Sequence, residues 1–168
     1  MSPNPRFLLA AACALLAATA RAEVKPGDSF PSLTSAALRG SLPATAGQVV
    51  LVDFWASWCG PCKSSFPAYA RLEADYGRRG LVIVAVSVDE DPAAYAAFVK
   101  RLHPPFATVR DESQRLVNQV SVPTMPTCYL LGRDGRVRFV HVGFHGEDTE
   151  RELRRQIDTL LSENHPSP

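Results

Sequence analysis

The chain has 168 residues, of which 46% are hydrophobic and 21% are charged, a composition typical of a soluble globular protein with a sizeable core. Its formal net charge is +1, and it has no long run of basic or acidic residues. This charge pattern argues against a nucleic-acid-binding protein, because binding to phosphates requires a basic patch or stripe.

The first 22 residues have the three parts of a secretory signal peptide. Arg6 provides a positive charge, residues 7–18 form an apolar segment, and residues 20–22 match an A-x-A cleavage site. The apolar segment is too short to span a bilayer comfortably. We therefore predict an exported, periplasmic protein whose signal peptide is cleaved before Glu23, with an uncleaved N-terminal anchor as the alternative.

Residues 23–168 contain no repeat, low-complexity tract or linker, so we predict that they form one domain with a core over about residues 28–162. The first part of this domain, residues 24–47, is rich in Gly, Pro, Ser and Thr and has only scattered apolar residues. This composition predicts an N-terminal arm that contains a short strand or hairpin. Residues 163–168 are predicted to form a frayed tail.

Two nearly unbroken apolar runs, residues 49–55 and 81–88, are rich in β-branched side chains. Such runs are typical of strands that are buried on both faces of a sheet. Between them, residues 60–78 carry apolar side chains at a helical spacing, with Pro61 suited to the first turn and Pro67 expected to kink the helix. Together these segments predict a right-handed β-α-β unit.

The next segment is predicted to add a helix, a short strand and a second, shorter helix. Asp91 is suited to cap a helix whose first residue is Pro92. The apolar side chains that follow recur with the period of one helical face, at Tyr95, Phe98, Val99 and Leu102. Residues 106–109 then predict a short strand, and Leu116 and Val117 predict a short helix.

Two further strands are predicted at residues 127–131 and 136–142, joined by a turn that contains Asp134 and Gly135. An Asp-Gly pair between apolar segments is a strong signal for a hairpin. Residues 147–162 have the pattern of an amphipathic helix. The order of elements predicts an α/β fold in which a mixed central sheet is flanked by helices and an α-β-α segment is inserted after the β-α-β unit.

Cys59 and Cys62 lie where the first predicted strand meets the first predicted helix, separated by Gly60 and Pro61. Unpaired N–H groups and the positive dipole end at a helix N-terminus stabilise a thiolate, which is the attacking species in disulfide exchange. We therefore predict that Cys59 is the nucleophile and that Cys62, one turn further along, resolves the mixed disulfide. The neighbouring Trp58 is expected to be partly exposed and to offer an apolar contact to substrates.

Asp53 lies inside an otherwise apolar strand, six residues before Cys59. Because burial disfavours the ionised form of a carboxyl group, the pKa of Asp53 should be raised. A buried acid beneath the dithiol could accept or deliver the proton of Cys62, and we predict this catalytic role for it. The alternative is a carboxylate at a strand end that is satisfied by backbone donors.

Residues 52–63, which include a Trp-Cys-Gly-Pro-Cys motif, resemble the thioredoxin superfamily, as do Pro67 and Pro126. The insert after Val88 and the motifs within residues 122–135 resemble its TlpA/ResA branch, as does the predicted signal peptide. The resemblance covers nearly all of the predicted core. It implies a thioredoxin fold for this chain.

The same resemblance implies that Pro126 is cis and packs against the disulfide, and that Met125 presents its backbone to an extended substrate peptide. Substrate-binding residues would then be Trp58, Gly60, Pro61, Met125 and Pro126. It also implies a membrane electron donor of the DsbD/CcdA type. Many branch members have Glu where this chain has Ser65, and often Asn where it has Asp53, so cytochrome c maturation, a role within the branch, does not follow from the resemblance alone.

Together, the motif and the resemblance predict a thiol–disulfide oxidoreductase that reduces disulfide-bearing exported proteins. We expect it to be a monomer and to need no cofactor besides the redox-active disulfide Cys59–Cys62. The Gly60-Pro61 pair resembles reducing members of the superfamily, so we predict a reduction potential below about −200 mV. An oxidant or isomerase that uses the same dithiol is the alternative within this chemistry.

A copper- or zinc-binding chaperone module, with Cys59 and Cys62 as ligands, is the alternative from another class. Zinc would need a second ligand pair, but the remaining cysteine of the predicted mature chain, Cys128, is isolated, and the four histidines share no finger-like spacing. Copper delivery would need three residues between the cysteines, and a peroxidase would need Thr ahead of the nucleophile. We therefore predict no metal site and expect Cys128 to be a buried core thiol, with a regulatory or intermolecular role as the alternative.

Overall fold

A computed structural model of the protein describes residues 23–163, so the predicted signal peptide and the last five residues lie outside the described residues. The strands are β1 (Val49–Trp55), β2 (Leu81–Ser87), β3 (Ala107–Arg110), β4 (Thr127–Leu131) and β5 (Val137–Val142). The helices are α1 (Gly60–Tyr76), α2 (Pro92–Leu102), α3 (Arg115–Val120) and α4 (Glu147–Ser162). No helix in this part of the chain is long and apolar enough to cross a membrane.

The five strands form one mixed sheet in the order β3-β2-β1-β4-β5. β1 is the central strand and is buried along its whole length, as its nearly unbroken apolar sequence predicts. It pairs in parallel with β2, which pairs in parallel with β3, and it pairs antiparallel with β4, which pairs antiparallel with β5. The predicted mixed sheet flanked by helices is confirmed.

The start of α2 follows the predicted capping chemistry. The Asp91 side chain accepts a hydrogen bond from the N–H of Ala93 at 2.8 Å, and Pro92 is the first residue of α2.

α1 continues through Pro67 and ends at Tyr76, two residues before the predicted end. A short 3-10 turn over Gly77–Arg79 follows, and it ends at Gly80, whose φ of 104° favours glycine.

Helices α1 and α2 cover one face of the sheet. Trp55 of β1 contacts Phe66 of α1 and Phe98 of α2, with ring centroids 5.0 and 4.4 Å apart. α4 lies beside α1, to which it is tied by a hydrogen bond of 3.1 Å from Arg71 to Glu150. The helix that carries the two cysteines is therefore held both by the sheet and by α4.

The N-terminal arm, residues 23–48, lies over the opposite face, where Phe30 contacts Tyr129 of β4. The predicted hairpin does not form in it. Instead, the arm makes two single antiparallel bridges to the sheet, one between Ser29 and Arg136 just before β5, and one between Arg39 and Arg110 of β3. The arm has too few adjacent apolar residues to pair with itself, and it uses its backbone groups to pair with the two edges of the sheet.

Candidate active site

Cys59 and Cys62 form a disulfide at the junction of β1 and α1, with their Cα atoms 5.4 Å apart. Cys59 is the N-cap residue of α1, and its Sγ accepts a hydrogen bond from the N–H of Cys62 at 3.2 Å. Cys59 retains a small exposed surface, whereas Cys62 has none. In the reduced protein, the same N–H group would stabilise a thiolate at Cys59.

The exposed surface next to the disulfide is apolar. Trp58 is 71% exposed, and Gly60 and Pro61 are exposed at the first turn of α1. The peptide bond between Met125 and Pro126 is cis, as the resemblance implied, and Met125 is half-buried. The substrate-binding roles of these five residues stay predictions.

The loop that leads into Cys59 is held by Asp89, a carboxylate that the sequence analysis did not single out. Asp89 is buried at the end of β2, and its oxygens accept hydrogen bonds from the N–H of Ser57 at 3.0 and 3.1 Å and from its hydroxyl at 2.7 Å. The hydroxyl of Ser87 donates a further bond at 2.7 Å. Because β1 and β2 are parallel, their carboxyl ends meet at one edge, and this rule could have identified Asp89.

Asp53 is fully buried in β1, and its two oxygens differ. Oδ1 accepts a hydrogen bond from the hydroxyl of Tyr69 at 3.0 Å, whereas Oδ2 has no hydrogen-bond partner among the described residues. Burial raises the pKa of Asp53 well above its ordinary value, and the bond from Tyr69 opposes this increase. The direction of this pKa change agrees with the expectation from the sequence.

Tyr69 is the second residue that the sequence analysis missed as a member of the site. It was expected only as part of the apolar face of the helix. Cys62, Ser65, Phe66 and Tyr69 are all buried in α1 and share one helical face. Ser65 stands where many branch members have Glu, and its hydroxyl donates to the carbonyl of Cys62 at 2.9 Å. The buried carboxyl group near the dithiol thus lies on β1, and the bond from Tyr69 connects it to the helix that carries the cysteines.

Cys128 is a free, buried thiol on β4, directly opposite Asp53 in the register of β1 and β4. Burial raises the pKa of this thiol, and the negative charge of Asp53 raises it further. Cys128 is therefore a neutral thiol in the core at neutral pH.

A metal centre would need several His, Cys, Asp or Glu side chains close together. Within residues 23–163, no group of three or more His, Cys, Asp or Glu side chains is placed to hold a metal ion. His141 contacts the side chain of Gln156 at 2.8 Å.

Comparisons of the sequence and the fold with known proteins agree with a site built on two paired cysteines. Residues 25–157 match the family model described as Redoxin. The chain is 30% identical over 139 residues to a thiol-disulfide oxidoreductase ResA of Geobacillus kaustophilus, and the match covers 80% of each chain. A Chlorobium tepidum structure assigned as thiol:disulfide interchange protein DsbE is 33% identical with a TM-score of 0.77, and the match covers 83% of this chain and 100% of that one.

Proposed function

The chain belongs to the Redoxin family, and on that premise we propose that it is an exported thiol–disulfide oxidoreductase that reduces disulfides in other exported proteins. One observation carries the proposal, namely the Cys59–Cys62 disulfide at the N-terminus of α1, with Asp53 buried in the strand that leads to it. A thiolate at that helix end and an acid in the core are the groups that disulfide exchange requires. The similarity to the thiol-disulfide oxidoreductase ResA supports the same chemistry.

In the first step, the Cys59 thiolate attacks one sulfur of a substrate disulfide. A bond forms between Cys59 and that sulfur, the substrate disulfide breaks, and the released substrate thiolate takes a proton from water. The helix dipole and the N–H of Cys62, which lies 3.2 Å from the Cys59 sulfur, stabilise the attacking thiolate.

In the second step, Cys62 resolves the mixed disulfide. Its S–H bond breaks and the proton passes to the carboxylate of Asp53. The Cys62 thiolate then attacks the Cys59 sulfur, the bond between Cys59 and the substrate breaks, and the second substrate sulfur leaves as a thiolate. This thiolate takes a proton from water, and Asp53 returns the proton of Cys62 to the solvent. The substrate gains two electrons and two protons in total, and the protein is left with its own disulfide.

A reductase of this kind needs a source of electrons, because each cycle oxidises the dithiol. A membrane dithiol protein of the DsbD/CcdA type would supply them to a monomeric, periplasmic protein exported by the N-terminal 22 residues. Disulfide-bearing exported proteins would be its substrates, and cytochrome c maturation is one process that would supply such substrates. No nucleic acid, metal or further cofactor takes part.

Trapping of mixed disulfides in cells tests the proposal. Cys62→Ser should accumulate covalent complexes with exported proteins, because the resolving thiol is missing, whereas Cys59→Ser should form none and should lose insulin-reducing activity. The double variant Cys59→Ser/Cys62→Ser is the matched control, since it keeps the fold but has no nucleophile. Complexes that form with Cys59→Ser but not with Cys62→Ser would show that the two roles are reversed.

The reduction potential tests the direction of electron flow. Equilibration with thiol buffers, followed by the fluorescence of Trp58 and Trp55, should give a value below about −200 mV. Asp53 favours this result, because a nearby negative charge disfavours the thiolate that stabilises the reduced form. A value above about −160 mV would identify an oxidant or isomerase instead.

A further inference from the structure

The two carboxylate oxygens of Asp53 have different surroundings. Oδ1 accepts the hydrogen bond from Tyr69, and Oδ2 has no partner among residues 23–163. Buried polar atoms in folded proteins are nearly always paired, so an unpaired oxygen calls for an explanation. Of two carboxylate oxygens, the one that accepts no hydrogen bond has more lone-pair capacity to take up a proton.

Tyr69 is held firmly in place. Its side chain is buried, and its ring makes edge-on contacts with Phe106 and Phe144, each at a centroid distance of 6.3 Å. Tyr69 lies seven residues after Cys62 on the buried face of α1. Because helical side chains tilt toward the N-terminus of their helix, the phenol extends back toward the dithiol.

We propose that Tyr69 is a positioning residue for thiol exchange, which occupies Oδ1 of Asp53 and so leaves Oδ2 as the oxygen that takes the proton of Cys62. This inference rests on the role proposed above for Asp53. When the S–H bond of Cys62 breaks, an O–H bond forms at Oδ2, and Tyr69 keeps its own proton. Burial and the charge of Asp53 both raise the pKa of Tyr69, so its hydroxyl remains a donor throughout.

The groups around Asp53 make the Tyr69 hydroxyl important for the ionisation of the Asp53 carboxyl group. On α1, the Tyr69 hydroxyl donates a hydrogen bond to Asp53, and Cys62 is the thiol whose proton Asp53 is proposed to accept. From β4, Cys128 faces it as a neutral thiol, and from β2 its neighbour is Ala85, which does not titrate. Burial raises the pKa of Asp53, and the bond from Tyr69 is the contact that lowers it. Without this hydroxyl, Asp53 would accept the proton of Cys62 only at higher pH.

The test compares Tyr69→Phe with Tyr76→Phe. Tyr76 lies on the same helix and donates to Asp158 at the same distance of 3.0 Å, but does not contact Asp53. The reduced proteins are mixed with a disulfide peptide, and the rate of the resolving step is followed as a function of pH. For Tyr69→Phe we expect the acidic limb of the profile to move up by about one pH unit, so that the rate on this limb falls about tenfold. For Tyr76→Phe we expect no shift.

A second measurement separates this inference from the proposed function. The pKa of Asp53 is measured in the oxidised proteins by NMR of 13C-labelled aspartate, and it should rise in Tyr69→Phe but not in Tyr76→Phe. If the carboxyl pKa and the rate profile of Tyr69→Phe both match the wild type, the inference is overturned, although exchange through Cys59 still stands. If the carboxyl pKa rises and the profile does not move, Tyr69 has no part in the exchange. Failure of mixed-disulfide trapping would instead overturn the proposed function.

If Tyr69→Phe fails to fold, 3-fluorotyrosine at position 69 preserves the shape of the side chain. The fluorinated phenol is a stronger hydrogen-bond donor, so it should move the acidic limb of the profile to lower pH, opposite to the effect of removing the hydroxyl. A shift to higher pH, or no shift, would overturn the inference.

Discussion

Two tyrosine–aspartate hydrogen bonds start from α1, and they differ only in their surroundings. Tyr69 donates to Asp53, and Tyr76 donates to Asp158, both at 3.0 Å. Asp53 is completely buried in the central strand, whereas the side chain of Asp158 on α4 is half exposed. The donor, the acceptor and the distance are thus the same at two positions of one helix, its middle and its last residue.

The difference lies in the second oxygen of each carboxylate. In Asp158 the second oxygen accepts a hydrogen bond from Arg79 at 3.0 Å, so both oxygens are paired and water is nearby. In Asp53 the second oxygen has no partner among the described residues. The paired oxygens of Asp158 fit a structural role for its bond with Tyr76. The unpaired oxygen of Asp53 is what the proposed proton transfer from Cys62 requires.

The largest expected difference between the two pairs is in turnover. Asp53→Asn removes the proton acceptor of Cys62, and we expect the rate of disulfide reduction at neutral pH to fall about 100-fold. Asp158→Asn, the matched change in the other pair, should change the rate by less than about twofold, since it lies in exposed ion pairs. Stopped-flow reduction of a disulfide peptide measures both. Equal rates for Asp53→Asn and the wild type between about pH 6 and 9 would contradict a role for Asp53 in proton transfer.

The next expected difference is in stability. Here Asp53→Asn should be favourable, whereas it should slow disulfide reduction. The folded protein raises the pKa of Asp53, so the folded state binds a proton that the unfolded chain has already lost above about pH 4. Stability therefore falls as the pH rises from that value toward the folded pKa. Asp53→Asn should remove this loss and increase the free energy of unfolding of the oxidised protein by about 1–3 kcal/mol at neutral pH.

Urea denaturation at several pH values tests this expectation. The gain from Asp53→Asn should grow with pH, whereas Asp158→Asn should change the free energy of unfolding by less than about 1 kcal/mol at every pH. A gain that shrinks as the pH rises would show that the carboxylate of Asp53 is stabilised in the folded state.

A smaller effect is expected at Cys128, which faces Asp53 in the register of β1 and β4. Cys128→Ala removes a buried sulfur, and the resulting small cavity should lower the free energy of unfolding by about 1 kcal/mol. The redox cycle should remain intact, because this thiol is kept neutral and takes no part in the exchange. A loss of insulin-reducing activity as large as that of Cys59→Ser would indicate a mechanism with three cysteines.

The smallest effect is expected at Tyr129, a tyrosine that has no aspartate beside it. Its hydroxyl is buried without a hydrogen-bond partner within residues 23–163, and burial raises its pKa to about 12. Tyr129→Phe should therefore leave the free energy of unfolding unchanged or increase it by up to about 1 kcal/mol. In thermal denaturation, a clear decrease in the melting temperature would reveal a partner for this hydroxyl.

Elements with a strong local pattern could be predicted to the residue. β1, β4 and α4 have the predicted bounds, because unbroken apolar strands and a well-formed amphipathic helix leave little freedom in where they begin and end. β3 lies one residue later than predicted, at Ala107–Arg110, where Arg110 exchanges two backbone hydrogen bonds with Arg39 of the arm. Such a contact between distant segments is not visible in a local pattern.

The same reasoning applies to the site. Asp53, Cys59 and Cys62 lie in one short stretch, so the disulfide and the burial of Asp53 could be predicted from the order of a strand and a helix, and the catalytic roles of the three residues stay predictions. Tyr69 could not be predicted, because its contact depends on how α1 is rotated against the sheet, whereas Asp89 follows from the parallel pairing of β1 and β2 once that rule is applied. An apolar helical face does not show which of its members has a hydroxyl directed at a buried acid.

The N-terminal arm bears on the solubility of the protein. An open sheet has two edge strands whose free N–H and C=O groups can pair with another chain and start aggregation. The arm bridges to Arg136 beside one edge and to Arg110 on the other, so a stretch of little more than ten residues partly covers both. A chain lacking this stretch would expose more of each edge, and strand-to-strand association of two copies would become easier. The arm thus protects the sheet against self-association without adding a strand of its own.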